Sequence, residues 1–263
     1  NLQVALRAYR DDVVATRLAA RQLSREVLQP FDTQEQNVAP PEKVGGSVLG
    51  GFIPYMIILL MLTGAMYPAI DLTAGEKERG TIETILASPV GRTELVLGKF
   101  LTVLTASVAT ALLSLTSLAA TFAWLLSAMP ASRSGAPLAM TLSPKGMAAV
   151  LLMVLPIGVM FSAALLAIAL LARSFKEAQS YISPLTIVVI IPAVGAVLPG
   201  VELNSRLALI PILNVSLASK EILTGNYPWN LILLIFASSC VYAAVALFIA
   251  LRAFQREAVL FRT

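Results

Sequence analysis

Charged side chains are concentrated in one short stretch of an otherwise apolar chain. Residues 71–100 read DLTAGEKERGTIETILASPVGRTELVLGKF and contain acidic and basic residues close together. A dense segment of mixed sign in a charge-poor protein needs a partner protein or the lipid headgroup region. The chemistry that these residues suit is therefore ion pairing and docking.

Two residue types that several classes of catalytic and metal site depend on are absent or rare in the sequence. The chain has no histidine and one cysteine, Cys240. This excludes His-ligated metal sites, Ser-His and Cys-His catalysis, His proton relays and an internal disulfide. The sequence also lacks a G-x-x-x-x-G-K-[ST] phosphate loop. We therefore predict no catalytic residue, no metal and no cofactor bound by this chain.

Local patterns divide the charged stretch into two short helices at a membrane surface. Thr73 and Glu76 match a capping box that would open a helix running to Leu86. Pro89 and Gly91 would end it, and Thr93 would cap a second helix. The first helix has an apolar stripe (Ile82, Ile85, Leu86) and an opposite charged face (Glu76, Lys77, Arg79, Glu83). From these patterns alone, an interfacial elbow between two spans and a docking helix for a partner fit equally well.

The remainder of the chain has the composition of a membrane protein. Of the 263 residues, 57% are hydrophobic and 13% charged, and the mean hydropathy is +0.82. Soluble domains have about 25% charged residues. The net charge of +4 fits basic residues that flank membrane spans on the cytoplasmic side, so we expect no nucleic-acid binding.

Five charge-free stretches are long enough to cross a bilayer, which takes about 20 residues as a helix. They predict an all-α, polytopic membrane helical bundle with spans near 48–70, 100–126, 147–172, 178–200 and 228–251. Pro184 and Pro192 lie inside the fourth span, where we expect a bend, and they are candidate hinge residues. Ser143-Pro144 and the Ser174/Glu177 pair are helix-start signals for the third and fourth spans. Hydroxyls in the second span are expected to bond to backbone.

The apolar stretch 207–219 is too short to cross. It contains Pro211 and is bounded by Arg206 and Lys220. We predict a re-entrant segment on the extracytoplasmic side.

Basic residues in the connecting segments predict the orientation. One side has nine, and the other has Arg133, Lys145, Arg206 and Lys220. The richer side should face the cytoplasm, which places segment 73–99 there and residues 1–43 outside. We expect 1–43 to be the end of an extracytoplasmic domain, with its beginning and a first membrane helix preceding Asn1, and 44–263 to be the transmembrane domain. The nine basic residues are Lys77, Arg79, Arg92, Lys99, Arg173, Lys176, Arg252, Arg256 and Arg262.

The run GEKERGTIETILASPVGRTELVLGK, preceded by GAMYPAIDLT, resembles the hallmark of ABC type-2 (ABC-2) export permeases of the sodium-efflux branch. The stretches 211–215 (PILNV) and 256–262 (REAVLFR) fit the same branch. The resemblance implies that the charged segment forms a coupling helix that docks into an ATP-binding subunit. The coupling residues it implies are Glu76, Lys77, Glu78, Arg79, Gly80, Thr81, Ile82 and Glu83.

The resemblance also implies what the whole chain does. It would be the permease subunit of an ATP-binding cassette exporter in a bacterial cell membrane, moving a small solute, sodium by branch, out of the cytoplasm. It would not be an enzyme itself, because ATP and Mg would bind the ATPase subunit. A second permease subunit, identical or different, would complete the pair.

Two other functions remain open from the sequence. An ion-coupled secondary transporter or channel would usually have ionisable residues within the spans, and Asp71 lies only at a boundary. A permease truncated from a fusion with an intramembrane protease domain is the other alternative.

Overall fold

The computed structural model describes residues 6, 9, 13–14, 16–18, 20, 41–81, 84, 89–128, 144–198, 201–223 and 225–255. The chain divides into two compact units, residues 1–39 and 40–263. In the first unit the described residues are helical. The second unit is a helical bundle, and no strand occurs among its described residues.

Long helices dominate the second unit. They are α1 (Pro41–Ile70), α2 (Arg92–Ala128), α3 (Pro144–Leu170), α4 (Phe175–Gly195), α5 (Leu213–Leu223) and α6 (Trp229–Gln255). Within the described ranges, five helices are long and apolar enough to cross a membrane, and α5 is the short exception. The predicted all-α polytopic bundle is confirmed, and the chain is a multi-pass membrane protein.

The first helix does not stop at the end of its apolar run. It continues through a π-helix, Asp71–Gly75, into a last turn, Glu76–Glu78. Thr73 lies inside this continuation, where its hydroxyl donates to Ala69 O at 2.6 Å. The predicted capping box at Thr73 is therefore wrong, because the backbone there is already helical and its hydroxyl bonds back into the helix.

The predicted helix from Glu76 to Leu86 is also wrong as one element. It ends at Glu78, and Gly80 has a φ of +71°, which a right-handed helix cannot contain. The apolar stripe Ile82, Ile85 and Leu86, together with Glu83, lies outside the described residues.

Helices α1 and α3 form the centre of the bundle. About half of each apolar window is buried (50% and 56%), against 22% for α4 and for α6. Gly64 allows α2 to approach α1 closely, because a Cβ there would lie 2.2 Å from Thr110 Oγ1. The large exposed apolar faces of α4 and α6 are what a lipid-facing helix presents.

Two of the predicted helix-start signals are found in the structure, and a third is not. Ser174 Oγ accepts a hydrogen bond from Glu177 N at 3.3 Å, as predicted for the start of α4, and Pro144 is the first residue of α3. The predicted Thr93 cap is wrong, because α2 already begins at Arg92 and the Glu94 carboxylate accepts from Gly91 N at 3.3 Å.

Hydroxyls of α2 bond to the backbone, as predicted. Thr102, Thr105 and Thr110 donate to the carbonyls four residues earlier at 2.9, 2.7 and 2.8 Å. Ser107 instead donates to Met61 O of α1 at 3.4 Å.

The short apolar stretch 207–219 folds into a turn, Leu207–Leu209, and the buried helix α5. Eleven residues of helix span about 16 Å, too little to cross a bilayer. Asn214 Nδ2 donates to Ala208 O at 3.2 Å and to Ser239 Oγ at 3.4 Å, which ties α5 to the preceding turn and to α6. The approach of this segment from the extracytoplasmic side stays a prediction.

Candidate functional site

Glu76, in the turn Glu76–Glu78 that ends the continuation of α1, forms a buried ion pair with Lys99 of α2. The side chains are 10% and 8% exposed, and Lys99 Nζ also donates to Leu72 O at 2.7 Å. The expectation that Glu76 lies on an exposed charged face is wrong. Its carboxylate is buried because a counter-charge meets it there, the condition under which a Glu leaves water.

Lys77 and Glu78 bind the corner between α3 and α4. Lys77 Nζ donates to Leu170 O at the end of α3, and Glu78 Oε2 accepts from Phe175 N at 2.7 Å at the start of α4. Terminal carbonyls and amides of a helix lack intrahelical partners. A cation also suits the C-terminus of a helix and an anion its N-terminus. Two neighbouring residues of opposite charge therefore satisfy a free carbonyl at the end of α3 and a free amide at the start of α4.

Arg79 turns back along α1 towards Asp71. Its Nη1 lies 2.8 Å from Asp71 Oδ1, and its Nη2 lies 3.3 Å from Asp71 O. The side chain passes over Gly75, where an added Cβ would lie 3.5 Å from Arg79 Nη2. The hydrogen bond that Arg79 donates to Asp71 and the negative charge of Asp71 raise the pKa of Arg79 above its ordinary value.

Gly80 closes the helix. Gly80 N donates to Lys77 O and Thr81 N donates to Glu76 O, each at 3.0 Å. These two bonds form a Schellman motif, which needs the left-handed backbone that glycine adopts at Gly80. We call residues 76–80 the helix-end clamp, because each of them has a structural contact at this end of the bundle.

The structure brings six of the eight predicted coupling residues together and leaves Ile82 and Glu83 outside the described residues. Glu76 is buried, Lys77 half-buried, and the remaining four are exposed. Further along the chain, Pro89 and Val90 are also exposed. The candidate hinge residues Pro184 and Pro192 lie within α4 and are not part of the clamp.

Several contacts of the clamp were not predicted from the sequence. Leu170 and Phe175 take part through backbone atoms, which no side-chain pattern could reveal. Lys99 is the last residue of the run that resembles the family hallmark, but its distance of 23 residues from Glu76 does not indicate that the two side chains pair. From the sequence, Asp71 was recognised only as a charged residue at the end of the first predicted span.

An open cleft lies beside the clamp, between α1, α2 and α4. Its volume is about 510 Å³, and it is lined by Tyr67, Pro68, Asp71, Leu72, Thr102 and Phe175. The Tyr67 and Phe175 rings lie 6.4 Å apart between centroids, with an angle of 27° between their planes.

Comparisons with known proteins agree with this architecture. Residues 3–252 match the family described as ABC-2 family transporter protein. The chain is 30% identical over 227 residues to the ABC transporter permease protein NatB of Bacillus subtilis strain 168. This alignment covers 85% of the chain but 57% of the relative, so the chain spans little more than half of that protein. No solved structure matches. With its spanning helices and a family match over nearly its whole length, the chain belongs to the ABC-2 transporter family.

Proposed function

We propose that this chain is the permease subunit of an ATP-binding cassette exporter, driven by ATP that a separate ATPase subunit binds with Mg and hydrolyses. Family membership and a permease relative support this role. The absence of a phosphate-loop sequence fits it as well.

The observation that best supports the proposal is the helix-end clamp. Glu76, Lys77 and Glu78 join the end of α1 to α2, α3 and α4 through one ion pair and two helix-end contacts. A force applied to the exposed surface next to the clamp would reach four spanning helices at once. A subunit that converts nucleotide energy into helix movement needs such a joint.

The docking surface in this proposal differs from the one that the sequence suggested. Glu76 is buried and serves the clamp, so the ATPase would contact the exposed part of the coupling region. That part comprises residues 78–81 and the loop around Val90, which is 50% exposed. We place this surface in the cytoplasm, in keeping with the basic residues near it.

Cargo and assembly are finer points of the same proposal. The resemblance to the sodium-efflux branch favours sodium or another small solute, exported through a pair of permease subunits. Pro184 and Pro192 are proposed hinges of α4. An ion-coupled carrier has less support, because residues 50–70, 100–128, 146–170, 178–195 and 229–251 contain no charged side chain.

Co-purification with the ABC ATPase subunits of the source genome tests the proposal. Val90→Asp places a charge on the docking surface outside the clamp, and we expect it to lower ATPase recovery about tenfold, since a misplaced interface charge costs on the order of 1.4 kcal/mol or more. Glu202→Lys, an exposed change in the segment after α4, is the matched control and should leave recovery unchanged.

Recovery of no ATPase subunit with the wild-type chain would refute the proposed role. Unchanged recovery with Val90→Asp, or equal loss in both variants, would instead refute the docking surface at Val90.

A further inference from the structure

We propose that the cleft beside Asp71 is a binding site for monovalent organic cations with an apolar body. Its part in transport, as the place where cargo first binds, rests on the proposed function. Binding itself does not, because the cleft is formed by this chain alone.

The lining of the cleft selects for this chemistry. The aromatic rings of Tyr67 and Phe175 and the apolar side chains Pro68 and Leu72 offer surface to an apolar body. Asp71 supplies the acidic group of the lining, and none of the lining residues is basic. Aromatic faces together with a carboxylate attract cations, and a volume of about 510 Å³ fits a small organic molecule.

Besides Asp71, two side chains of the lining carry a hydroxyl, Tyr67 and Thr102, and the hydroxyl of Thr102 is already committed. Thr102 Oγ1 donates to Gly98 O at 2.9 Å within α2. A neutral polar ligand therefore finds less to bind than a cation does. The Asp71 side chain is 53% exposed, and its carboxylate therefore determines that the cleft prefers a cationic ligand.

The backbone at Asp71 is a second, independent observation. Asp71 is the first residue of the π-helix Asp71–Gly75, and single π-turns in α-helices occur frequently at functional sites. The wider turn changes the direction in which side chains leave the helix, so it sets where the carboxylate stands relative to the rings of Tyr67 and Phe175.

Arg79 would compete with a bound cation. Its guanidinium holds Asp71 Oδ1 at 2.8 Å from outside the cleft lining, and it directly precedes Gly80, which closes the helix. A cation that neutralises Asp71 weakens this hold on Arg79. Cargo charge in the cleft is thereby linked to the surface on which the ATPase is proposed to dock.

Binding of tritiated tetraphenylphosphonium to the purified chain in lipid nanodiscs tests the inference, with binding to empty nanodiscs subtracted. We expect saturable binding that Asp71→Asn weakens about tenfold and Tyr67→Ala weakens several-fold. Arg79→Gln should strengthen it about threefold or more, because the competing cation is gone. Glu202→Gln, a carboxylate change outside the cleft, should have no effect.

Triphenylphosphine oxide, a neutral molecule with a similar apolar body, serves as the ligand control and should compete far more weakly than unlabelled tetraphenylphosphonium. Wild-type affinity in a folded Asp71→Asn variant, equal competition by triphenylphosphine oxide, or binding no greater than to empty nanodiscs would each overturn the inference. Intact binding without ATPase recovery would count against the proposed function only. ATPase recovery without binding would count against this cleft only.

Discussion

Two ionised side chains near the end of the first helix, Glu76 and Lys99, are stabilised by pairing with each other and not by water. The Glu76 and Lys99 side chains are about nine-tenths buried, and a lone charge at such a depth is costly. The amine of Lys99 also satisfies Leu72 O, so one residue holds both a carboxylate and a π-helix carbonyl. This explains why two charges lie inside the packing of α1 and α2.

Removing one partner of this pair should destabilise the protein strongly. Lys99→Met leaves a buried carboxylate without a counter-charge, and we expect it to lower the free energy of unfolding by about 3–5 kcal/mol. Denaturation in mixed detergent micelles measures this change. The double variant Glu76→Gln/Lys99→Met should recover more than half of the loss. A double variant as unstable as Lys99→Met alone would contradict the pairing.

Among the helices, α1 and α2 depend on a glycine for their close contact. A Cβ at Gly64 would meet Thr110 Oγ1 at 2.2 Å and Thr110 Cβ at 2.7 Å. Gly64→Ala should therefore force the two helices apart and cost about 1–3 kcal/mol, measured by the same denaturation. Gly98 lies on α2 with no atom within 4 Å of an added Cβ.

Gly98→Ala is consequently the matched control for that experiment. It should leave stability unchanged or raise it by up to about 1 kcal/mol, because alanine favours helix. Equal effects at the two glycines would show that the close approach at Gly64 is not what limits the packing.

Helix α5 is held by Asn214, and this anchor can be tested against a nearby hydroxyl. Asn214 Nδ2 donates to Ala208 O and its Oδ1 accepts from Val215 N at 2.7 Å. Asn214→Leu should cost about 1–3 kcal/mol in unfolding, because buried groups lose their partners. The hydroxyl of Ser219 has no partner among the described residues, so Ser219→Ala should cost nothing. The reverse order would contradict this role of Asn214.

Element positions were largely predictable, whereas the clamp was not. Spans follow from charge-free length, a property of each segment alone, and five helices long and apolar enough to cross a membrane occur among the described residues. The Ser174 cap is likewise local. Glu76 was placed on the wrong face because its partner Lys99 is 23 residues away. Lys77 and Glu78 bind backbone atoms on other helices, and such contacts exist only after the bundle has formed.

At the scale of the whole molecule, the two ends of the bundle should lie on opposite sides of the membrane. Thr81 and Glu202 are both exposed and lie before α2 and after α4. In a Cys240→Ser background, which removes the single native thiol, a membrane-impermeant maleimide should label Glu202→Cys in intact cells. Thr81→Cys should react only after permeabilisation. The opposite pattern would reverse the orientation predicted from basic residues.

The uninterrupted course of the first helix has a consequence for how this protein can vary. From Pro41 to Glu78 the chain winds without a break, about 57 Å at 1.5 Å per residue, nearly twice the hydrocarbon thickness. One residue inserted between Pro41 and Ile70 that continues the α-helix would rotate everything beyond by about 100°, carrying Glu76 away from Lys99 and Glu78 away from Phe175. Length changes should therefore be tolerated between the helices and rejected within this one.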